Sequence, residues 1–309
     1  MSIRIVIALA VGLLLALPAA AQERFRTPEA AVAALDAAMK AGDEGKKLDR
    51  LLGPAFAEFH ESQTEDPALM QSRFKRFADN YAEFRTLTGS GDVRTLIVGA
   101  EGFPFPFPLV KRGSRWSFDG EAGVEELRNR YVGANEINAV SVLDIIAAAQ
   151  LEYLTDDWDG DGVIEYASRI SSTPGTRDGL YWETDAEDPD AQESPLALLV
   201  DLARAVVGKT GAGEPFLGYR YQSLGGQGAA AKGGAWDYTI NGHQVAGFAA
   251  IAWPAAYGDT GVMTFIINQD GVIYEADLGT ETEAKAAAIT KFDPGAGWVE
   301  VKDEDIGAY

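Results

Sequence analysis

The sequence predicts an α+β protein in two parts, each with helices and an antiparallel sheet. Three observations lead to this fold class. Apolar residues recur at helical spacing early in the chain, and residues 93–118 and 216–275 are rich in β-branched and aromatic residues between turn signals. A long apolar helix is predicted at 135–154. With 309 residues, the chain also exceeds the usual size of one domain.

The first residues have the features of a secretory signal peptide. An apolar run at 5–17 follows the N-terminal arginine, and Pro18 with three alanines separates it from the polar Gln22. The run is short for a membrane span, although an uncleaved anchor is the alternative. We expect residues 1–21 to be removed after Ala21. The mature protein would then be periplasmic or secreted, with no membrane span.

Charge and cysteine content exclude several functions. The net charge of −21 argues against binding to nucleic acid or to anionic lipid, and it favours divalent cations. The sequence contains no cysteine, which excludes disulfides, a thiol nucleophile and cysteine-ligated metal.

The N-terminal domain is predicted over residues 23–130 and should begin with helices. Thr27 can cap a helix that starts at Pro28, because its hydroxyl can accept a backbone N–H of the first turn. A later helix should carry one buried stripe at spacings of four and three. Its members are Met70, Phe74, Phe77, Tyr81 and Phe84. Strands are predicted at 95–98, 105–111 and 115–118.

Phenylalanine and proline alternate over residues 103–108. Proline lacks the backbone donor of a sheet ladder, so this segment should lie at an edge or at the entry to a strand. A proline-rich recognition site is one interpretation, and packing of the phenylalanines into the core is the other.

The C-terminal domain is predicted over residues 133–309, after a joint at 120–133 that holds a short helical segment. The helix at 135–154 is apolar on most sides and should be the buried spine of this domain. Asn241-Gly242 and Asp270-Gly271 indicate tight turns between strands. Helices are predicted at 196–207 and 281–289, and strands at 219–224, 236–240, 245–253, 262–267 and 272–275.

The run at 156–165 contains alternating acids and two glycines, which is typical of a calcium loop. Asp157, Asp159 and Asp161 fit positions one, three and five, and Glu165 at position nine could add a carboxylate. Position twelve is Ser168, so the loop is not a complete EF-hand. We expect a calcium site with these four acids as ligands. A solvated acidic turn is the alternative, and zinc is disfavoured because no histidine or cysteine lies nearby in sequence.

Catalytic motifs are missing from the sequence. The two histidines fall in different predicted domains, and no serine lies in a nucleophile elbow. Glycine-rich segments fail the nucleotide-binding patterns, so no nucleotide is expected. We therefore expect a non-catalytic structural or interaction module with an envelope protein as partner. The alternative is a carbohydrate-directed hydrolase or binding protein that uses Asp178 or Glu183 beside Trp182, with Trp236 and Trp253.

Several short sequence segments resemble those of known families. The opening phrase over residues 27–43 and the closing phrase over 108–119 resemble the cone-shaped domains of the nuclear transport factor 2-like class. Gln150, Tyr153 and the acidic loop, with Ala252-Trp253-Pro254 and Asp270-Gly271, are similar to the globular half of major pseudopilins. That resemblance implies a sheet packed on the spine helix and a calcium-pinned loop. Because the helix lies in mid-chain here, filament assembly is not expected.

A further resemblance covers nearly the whole mature chain. The phrases at 177–182 and 226–228, with Gly233-Gly234, resemble an exported bacterial family of proteins, domain of unknown function twenty-nine-fifty. This resemblance implies a shared architecture and no particular activity.

Overall fold

The computed structural model describes residues 22–40, 45–62, 67–184, 192–200 and 214–302. The protein combines helices with antiparallel sheets, which confirms the predicted α+β class. Its contacts divide the chain into two compact units, Met1–Leu127 and Arg128–Tyr309. The predicted signal peptide at residues 1–21 lies outside the described residues.

The N-terminal unit begins with four helices. The hydroxyl of Thr27 accepts the backbone N–H of Ala30 at 3.2 Å, which confirms the predicted cap. Of the predicted stripe, Tyr81 is buried and Phe77 packs beside it, but Phe84 is 46% exposed because it lies beyond the helix end. The side chains of Met70 and Phe74 lie outside the described residues. The helices are α1 Pro28–Met39, α2 Lys46–Leu52, α3 Pro54–Ser62 and α4 Pro67–Glu83.

An antiparallel sheet follows, with strand order β1-β2-β4-β5 and β3 paired to β2. The strand predicted at 105–111 is wrong in its first half, because the phenylalanine–proline segment leaves the ladder. Phe105 and Phe107 are buried in the core at 8% and 3% exposure, so packing explains them better than a recognition site. The strands are β1 Arg85–Thr88, β2 Val93–Val98, β3 Phe103–Pro104, β4 Leu109–Arg112 and β5 Arg115–Phe118.

One continuous helix, α5 Gly120–Tyr153, joins the helical segment predicted in the joint at 120–133 to the helix predicted at 135–154. The boundary between the two compact units, after Leu127, lies within that predicted joint. Its start is capped by Asp119, whose carboxylate accepts the N–H of Ala122 at 3.3 Å. Gly123 is required there, because a Cβ would lie 1.9 Å from a ring carbon of Phe107.

Helix α5 is long and apolar enough to meet the criteria for a membrane span. A buried core helix has the same properties, and Leu143 and Ile146 are only 0% and 2% exposed. The apolar face of α5 therefore has a partner within the protein.

The C-terminal sheet has the order β14-β13-β12-β11-β8, antiparallel throughout. Strand β11 is buried along its whole length, since both of its faces are covered. Ala250 and Ala252 lie in one core with the buried residues of α5. Ile251 and Trp253 alternate with them and lie in a second core with Ala286. This explains why β11 reads as a continuous apolar run.

Two of the predicted C-terminal strands are shorter than expected. The strand predicted at 236–240 is limited to two residues, and that at 245–253 begins only at Ala249. The predicted turn is confirmed, because Asn241 and Gly242 have φ of 55° and 96°. The elements after α5 are β6 Arg169–Ser171, β7 Gly179–Tyr181, β8 Tyr219–Leu224, β9 Gly226–Gln227, β10 Trp236–Asp237, β11 Ala249–Pro254, β12 Met263–Asn268, β13 Tyr274–Asp277, α6 Thr282–Ala288 and β14 Val299–Glu300.

The side chain of Gln227 holds the glycine-rich loop that follows β9. Its side-chain amide is fully buried and donates to the carbonyls of Lys232 and Gly234 at 2.9 and 2.8 Å. Its oxygen accepts from the hydroxyl of Tyr238 at 3.2 Å and from the amide of Gln269 at 3.1 Å. One buried side chain therefore holds the loop at 228–234 against the sheet.

We expect Gln227→Ala to destabilise the C-terminal unit by about 2–3 kcal/mol, because two loop carbonyls and the buried hydroxyl of Tyr238 lose their partner. Chemical denaturation monitored by circular dichroism would measure this. Gln222→Ala, at an exposed position of β8, is the matched control and should change the stability by less than about 0.5 kcal/mol. Equal stabilities of the two variants would contradict the role given to Gln227.

Candidate metal centre

The acidic loop begins three residues after α5 ends and is folded by its first ligand candidate. One carboxylate oxygen of Asp157 accepts the N–H groups of Gly160 and Asp161 at 2.9 and 3.1 Å, and the other accepts that of Gly162 at 2.9 Å. Gly160 and Gly162 have φ of 77° and 90°, a conformation that favours glycine. The sequence pattern of acids and glycines thus produces a tight turn around one carboxylate.

This turn brings three of the four predicted ligands together. Carboxylate oxygens of Asp157, Asp159 and Asp161 all lie within 4.8 Å of one another. Burial raises the pKa of Asp159, and the negative charge of Asp161 raises it further. Like charges therefore repel one another in the loop, and a divalent cation would relieve that repulsion.

The fourth predicted ligand, Glu165, belongs to a second group. It lies with Asp161 and His243, whose ligand atoms are also within 4.8 Å of one another. Nδ1 of His243 is 3.1 Å from Asp161 and 3.3 Å from Glu165. The hydrogen bond to Glu165 raises the pKa of His243 although partial burial opposes it, and the charge of Asp161 adds to the effect. Asp161 is common to both groups.

Glu165 also stabilises the hairpin turn that carries His243. Its second carboxylate oxygen accepts the backbone N–H of Gln244, and Glu165 is only 9% exposed. The ladder bonds between Ile240 and His243 close the turn at 2.8 and 3.1 Å. Glu165 is thus already bonded to two groups of the hairpin, whereas Asp159 faces mainly like charges.

The backbone after the loop is held by two buried glutamines. The amide of Gln150, on α5, donates to the carbonyl of Ala167 and accepts its N–H, both at 2.9 Å. The backbone carbonyl of Gln244 accepts the N–H of Tyr166 at 3.0 Å. The loop is therefore anchored to the helix at one side and to the hairpin at the other.

Aromatic rings fill the space at the base of the loop. Trp158 points away from the carboxylates toward Tyr153 and Trp182, with ring centroids 6.4 and 5.3 Å apart. Trp182 is 8% exposed and donates its indole N–H to the carbonyl of Gln192 at 2.9 Å. It is a core residue and offers no open face on which a sugar could stack.

Asp178, one of the two acids of the carbohydrate hypothesis, is already engaged by neighbouring residues. Asp178 accepts hydrogen bonds from Thr173 and Thr176 at 2.7–2.8 Å and forms an ion pair with Arg169 at 3.5 Å. Burial opposes ionisation of Asp178, but these bonds outweigh it and lower the pKa. Most of the second acidic cluster, from Asp185 to Asp190, lies outside the described residues.

A family model described as Protein of unknown function (DUF2950) matches residues 22–301. The chain belongs to the DUF2950 family. This confirms the family predicted from the phrases at 177–182 and 226–234. Searches of the curated proteins and of the solved structures found no match. The similarities of this DUF2950 protein to pseudopilins and to nuclear transport factor 2-like domains stay predictions.

One argument made from the sequence is wrong. Zinc was disfavoured because no histidine lies near the loop in sequence, yet His243 contacts it across 78 residues. Antiparallel strands can bring distant residues together, and no local signal marked this pairing. Only the Asn241-Gly242 turn hinted that His243 sits at the tip of a hairpin.

We expect Glu165→Ala in this DUF2950 protein to lower the stability by about 1–3 kcal/mol, because the buried N–H of Gln244 loses its acceptor. Glu165→Gln keeps an acceptor oxygen and should recover part of the loss. Thermal unfolding followed by circular dichroism is the measurement, with Glu152→Ala at an exposed position as control. If the Glu165 and Glu152 variants melted at the same temperature, the hydrogen bond from Gln244 to Glu165 would not stabilise the protein.

Proposed function

We propose that this protein is an exported, non-catalytic structural or interaction module whose acidic loop binds calcium. The observation that carries the proposal is that carboxylate oxygens of Asp157, Asp159 and Asp161 lie within 4.8 Å of one another. Three carboxylates are hard oxygen ligands, and the left-handed glycines let the chain turn around a cation.

Calcium suits this group better than zinc does. Zinc prefers nitrogen and sulfur ligands in a closed tetrahedron, and His243 is the only nitrogen donor in the two described groups. Calcium takes six to eight oxygens, so the three aspartates with backbone carbonyls and water could complete its shell. Glu165 would act beside the ion, through Asp161 and the hairpin.

A bound ion would have a structural role. The loop connects the end of α5 to the backbone anchored by Gln150 and Gln244, so neutralising its charge would stabilise that connection. Binding to the folded state alone raises stability by RT ln(1 + [Ca²⁺]/Kd), which is about 1.4 kcal/mol at ten times the Kd. Calcium concentrations outside the cytoplasm suit a weak site of this kind.

Export is supported by two independent observations. Residues 1–21 have the composition of a signal peptide, and the family match begins at residue 22, directly after the proposed cleavage position. The net charge of −21 and the lack of cysteine are compatible with a soluble envelope protein whose partner is another protein. The carbohydrate hypothesis has less support, because Trp182 is buried and Asp178 is engaged by Thr173 and Arg169.

Calcium titration should give a saturable heat with the wild-type protein and a higher melting temperature at millimolar calcium. Asp159→Asn and Asp161→Asn should each weaken calcium binding by at least about tenfold, since each removes a charged ligand. Isothermal titration calorimetry and thermal melts with and without chelator measure both effects. Without calcium, Asp159→Asn should be at least as stable as wild type, because it removes repulsion.

Asp156→Asn is the matched control, because it removes one charge from the same loop but its residue belongs to neither ligand group. It should keep the calcium response. Zinc titrated in parallel separates the two metals, with His243→Ala as the variant that would abolish a zinc site. A calcium response equal in all variants, or none in wild type, would contradict the calcium proposal.

Export is tested separately. We expect the protein expressed in a Gram-negative bacterium to be found in the periplasmic or secreted fraction with an N-terminus at Gln22. Mass spectrometry of the intact protein and N-terminal sequencing would check this. Ala21→Leu and Ala19→Leu together should block processing, because the cleavage site requires small residues. A full-length chain retained in the cytoplasm would rule out export.

A further inference from the structure

A mixed group of three side chains joins the acidic loop to the hairpin. Ligand atoms of Asp161, Glu165 and His243 lie within 4.8 Å of one another, and we call these residues the mixed group. It differs from the three aspartates assigned to calcium, because it contains an imidazole nitrogen. Only Asp161 belongs to both groups.

Backbone N–H groups fix the orientation of both carboxylates in the mixed group. Oδ1 of Asp161 accepts the N–H of Val163 at 2.8 Å, and Oε2 of Glu165 accepts that of Gln244. The remaining oxygens, Oδ2 of Asp161 and Oε1 of Glu165, lie 3.1 and 3.3 Å from Nδ1 of His243. One oxygen of each carboxylate is therefore held by the backbone and the other faces the imidazole, as in metal sites whose ligands are oriented by outer hydrogen bonds.

The distances from Nδ1 of His243 match those between neighbouring ligands of one ion. Bonds of about 2.0–2.2 Å from zinc to nitrogen and oxygen place neighbouring ligand atoms roughly 3.0–3.5 Å apart. The distances of 3.1 and 3.3 Å fall in this interval. An ion between these atoms therefore requires little movement of the side chains.

A proton on Nδ1 does not serve both carboxylates equally. Nδ1 carries at most one hydrogen. Its hydrogen bond goes to Glu165, whereas Oδ2 of Asp161, although closer, makes an ion-pair contact. The other histidine, His60, pairs with Asp49 at 3.0 Å and belongs to no group of three ligand atoms in the described part of the chain. A divalent ion in place of the proton would bond both carboxylates of the mixed group.

The ligand types of the mixed group favour a transition metal over calcium. Imidazole suits zinc and other first-row transition metals, whereas calcium takes oxygen ligands. The side chains of His243 and Asp161 are 32% and 34% exposed, so water can reach the site. Three protein ligands and one water complete a four-coordinate zinc shell.

We propose that Asp161, Glu165 and His243 bind one divalent first-row transition metal, with zinc as the ion that fits this ligand set. Two of the three ligands lie outside the calcium group, so this site does not require calcium to bind. The ion would join the acidic loop to the hairpin across 78 residues of sequence.

Co²⁺ is a suitable probe, because its visible absorption depends on its ligands and Zn²⁺ should displace it. Titration of the chelator-treated, calcium-free protein should give a saturable absorption band with one site per chain. His243→Gln removes the nitrogen ligand. Glu165→Gln removes a charge but keeps an acceptor for the N–H of Gln244. Each variant should weaken binding of Co²⁺ and Zn²⁺ by at least about tenfold.

Two controls remove the same kinds of group outside the mixed group. His60→Gln removes the only other histidine of the chain, and Asp159→Asn removes a carboxylate of the calcium group alone. Both should bind Co²⁺ within about threefold of wild type, since distant exposed charges are screened by salt. Circular dichroism confirms that each variant is folded.

A parallel calcium titration separates this site from the calcium site. Asp159→Asn should lose calcium affinity and keep Co²⁺, whereas His243→Gln should show the reverse. The proposal of a transition-metal site is overturned if the folded wild-type protein gives no saturable Co²⁺ band. It is also overturned if the variants at 165 and 243 bind Co²⁺ as tightly as the two controls, whatever the calcium result.

Discussion

The backbone at residues 165–167 is held from two sides, and the geometry of the acidic loop depends on this. From α5, the amide of Gln150 exchanges two hydrogen bonds with Ala167. From the hairpin, Gln244 bonds both Tyr166 and Glu165 through its backbone. These groups are largely buried, so loss of one bond would leave its partner without water. The end of the loop is consequently fixed before any ion binds.

The loop starts from the end of α5 and finishes at this fixed backbone, which limits how far its carboxylates can move apart. Asp157 is compensated by three backbone N–H groups, and Asp161 and Glu165 are compensated by His243. Asp159 has the least compensation, because burial raises its pKa and the charge of Asp161 raises it further. At His243 the hydrogen bond to Glu165 raises the pKa, and the charge of Asp161 adds to the effect. Negative potential disfavours ionised Asp159 and favours protonated His243. A cation near Asp159 would neutralise a carboxylate that His243 does not bond.

Local chemistry could be predicted from the sequence, whereas pairing over long distances could not. The Thr27 cap and the Asn241-Gly242 turn are determined by neighbouring residues, and both are confirmed. Strand β1 was missed because its residues are mostly exposed and show no apolar alternation. The helix break predicted between residues 133 and 135 is wrong, because glycine weakens a helix by only about 1 kcal/mol, which burial of one face can outweigh.

For the candidate site, too, contacts between residues distant in sequence could not be predicted. The spacing of Asp157, Asp159 and Asp161 within five residues specifies how their side chains meet, so these three could be grouped in advance. The place of Glu165 depends on the hairpin, which is separated from it by 78 residues. Glu165, which the sequence places at the ninth ligand position, is therefore also the acceptor that holds the hairpin turn. Sequence spacing alone cannot distinguish a metal ligand from an acceptor for a backbone N–H, because both roles need an acidic side chain that faces the loop.

Strand β8 lies at the edge of the large sheet. An unpaired strand edge favours association with other chains, and charged side chains there oppose it. Arg220 lies on β8 with Glu283 3.7 Å away, so a charged pair stands beside this edge. The pair therefore opposes the pairing of β8 with a strand of a second chain.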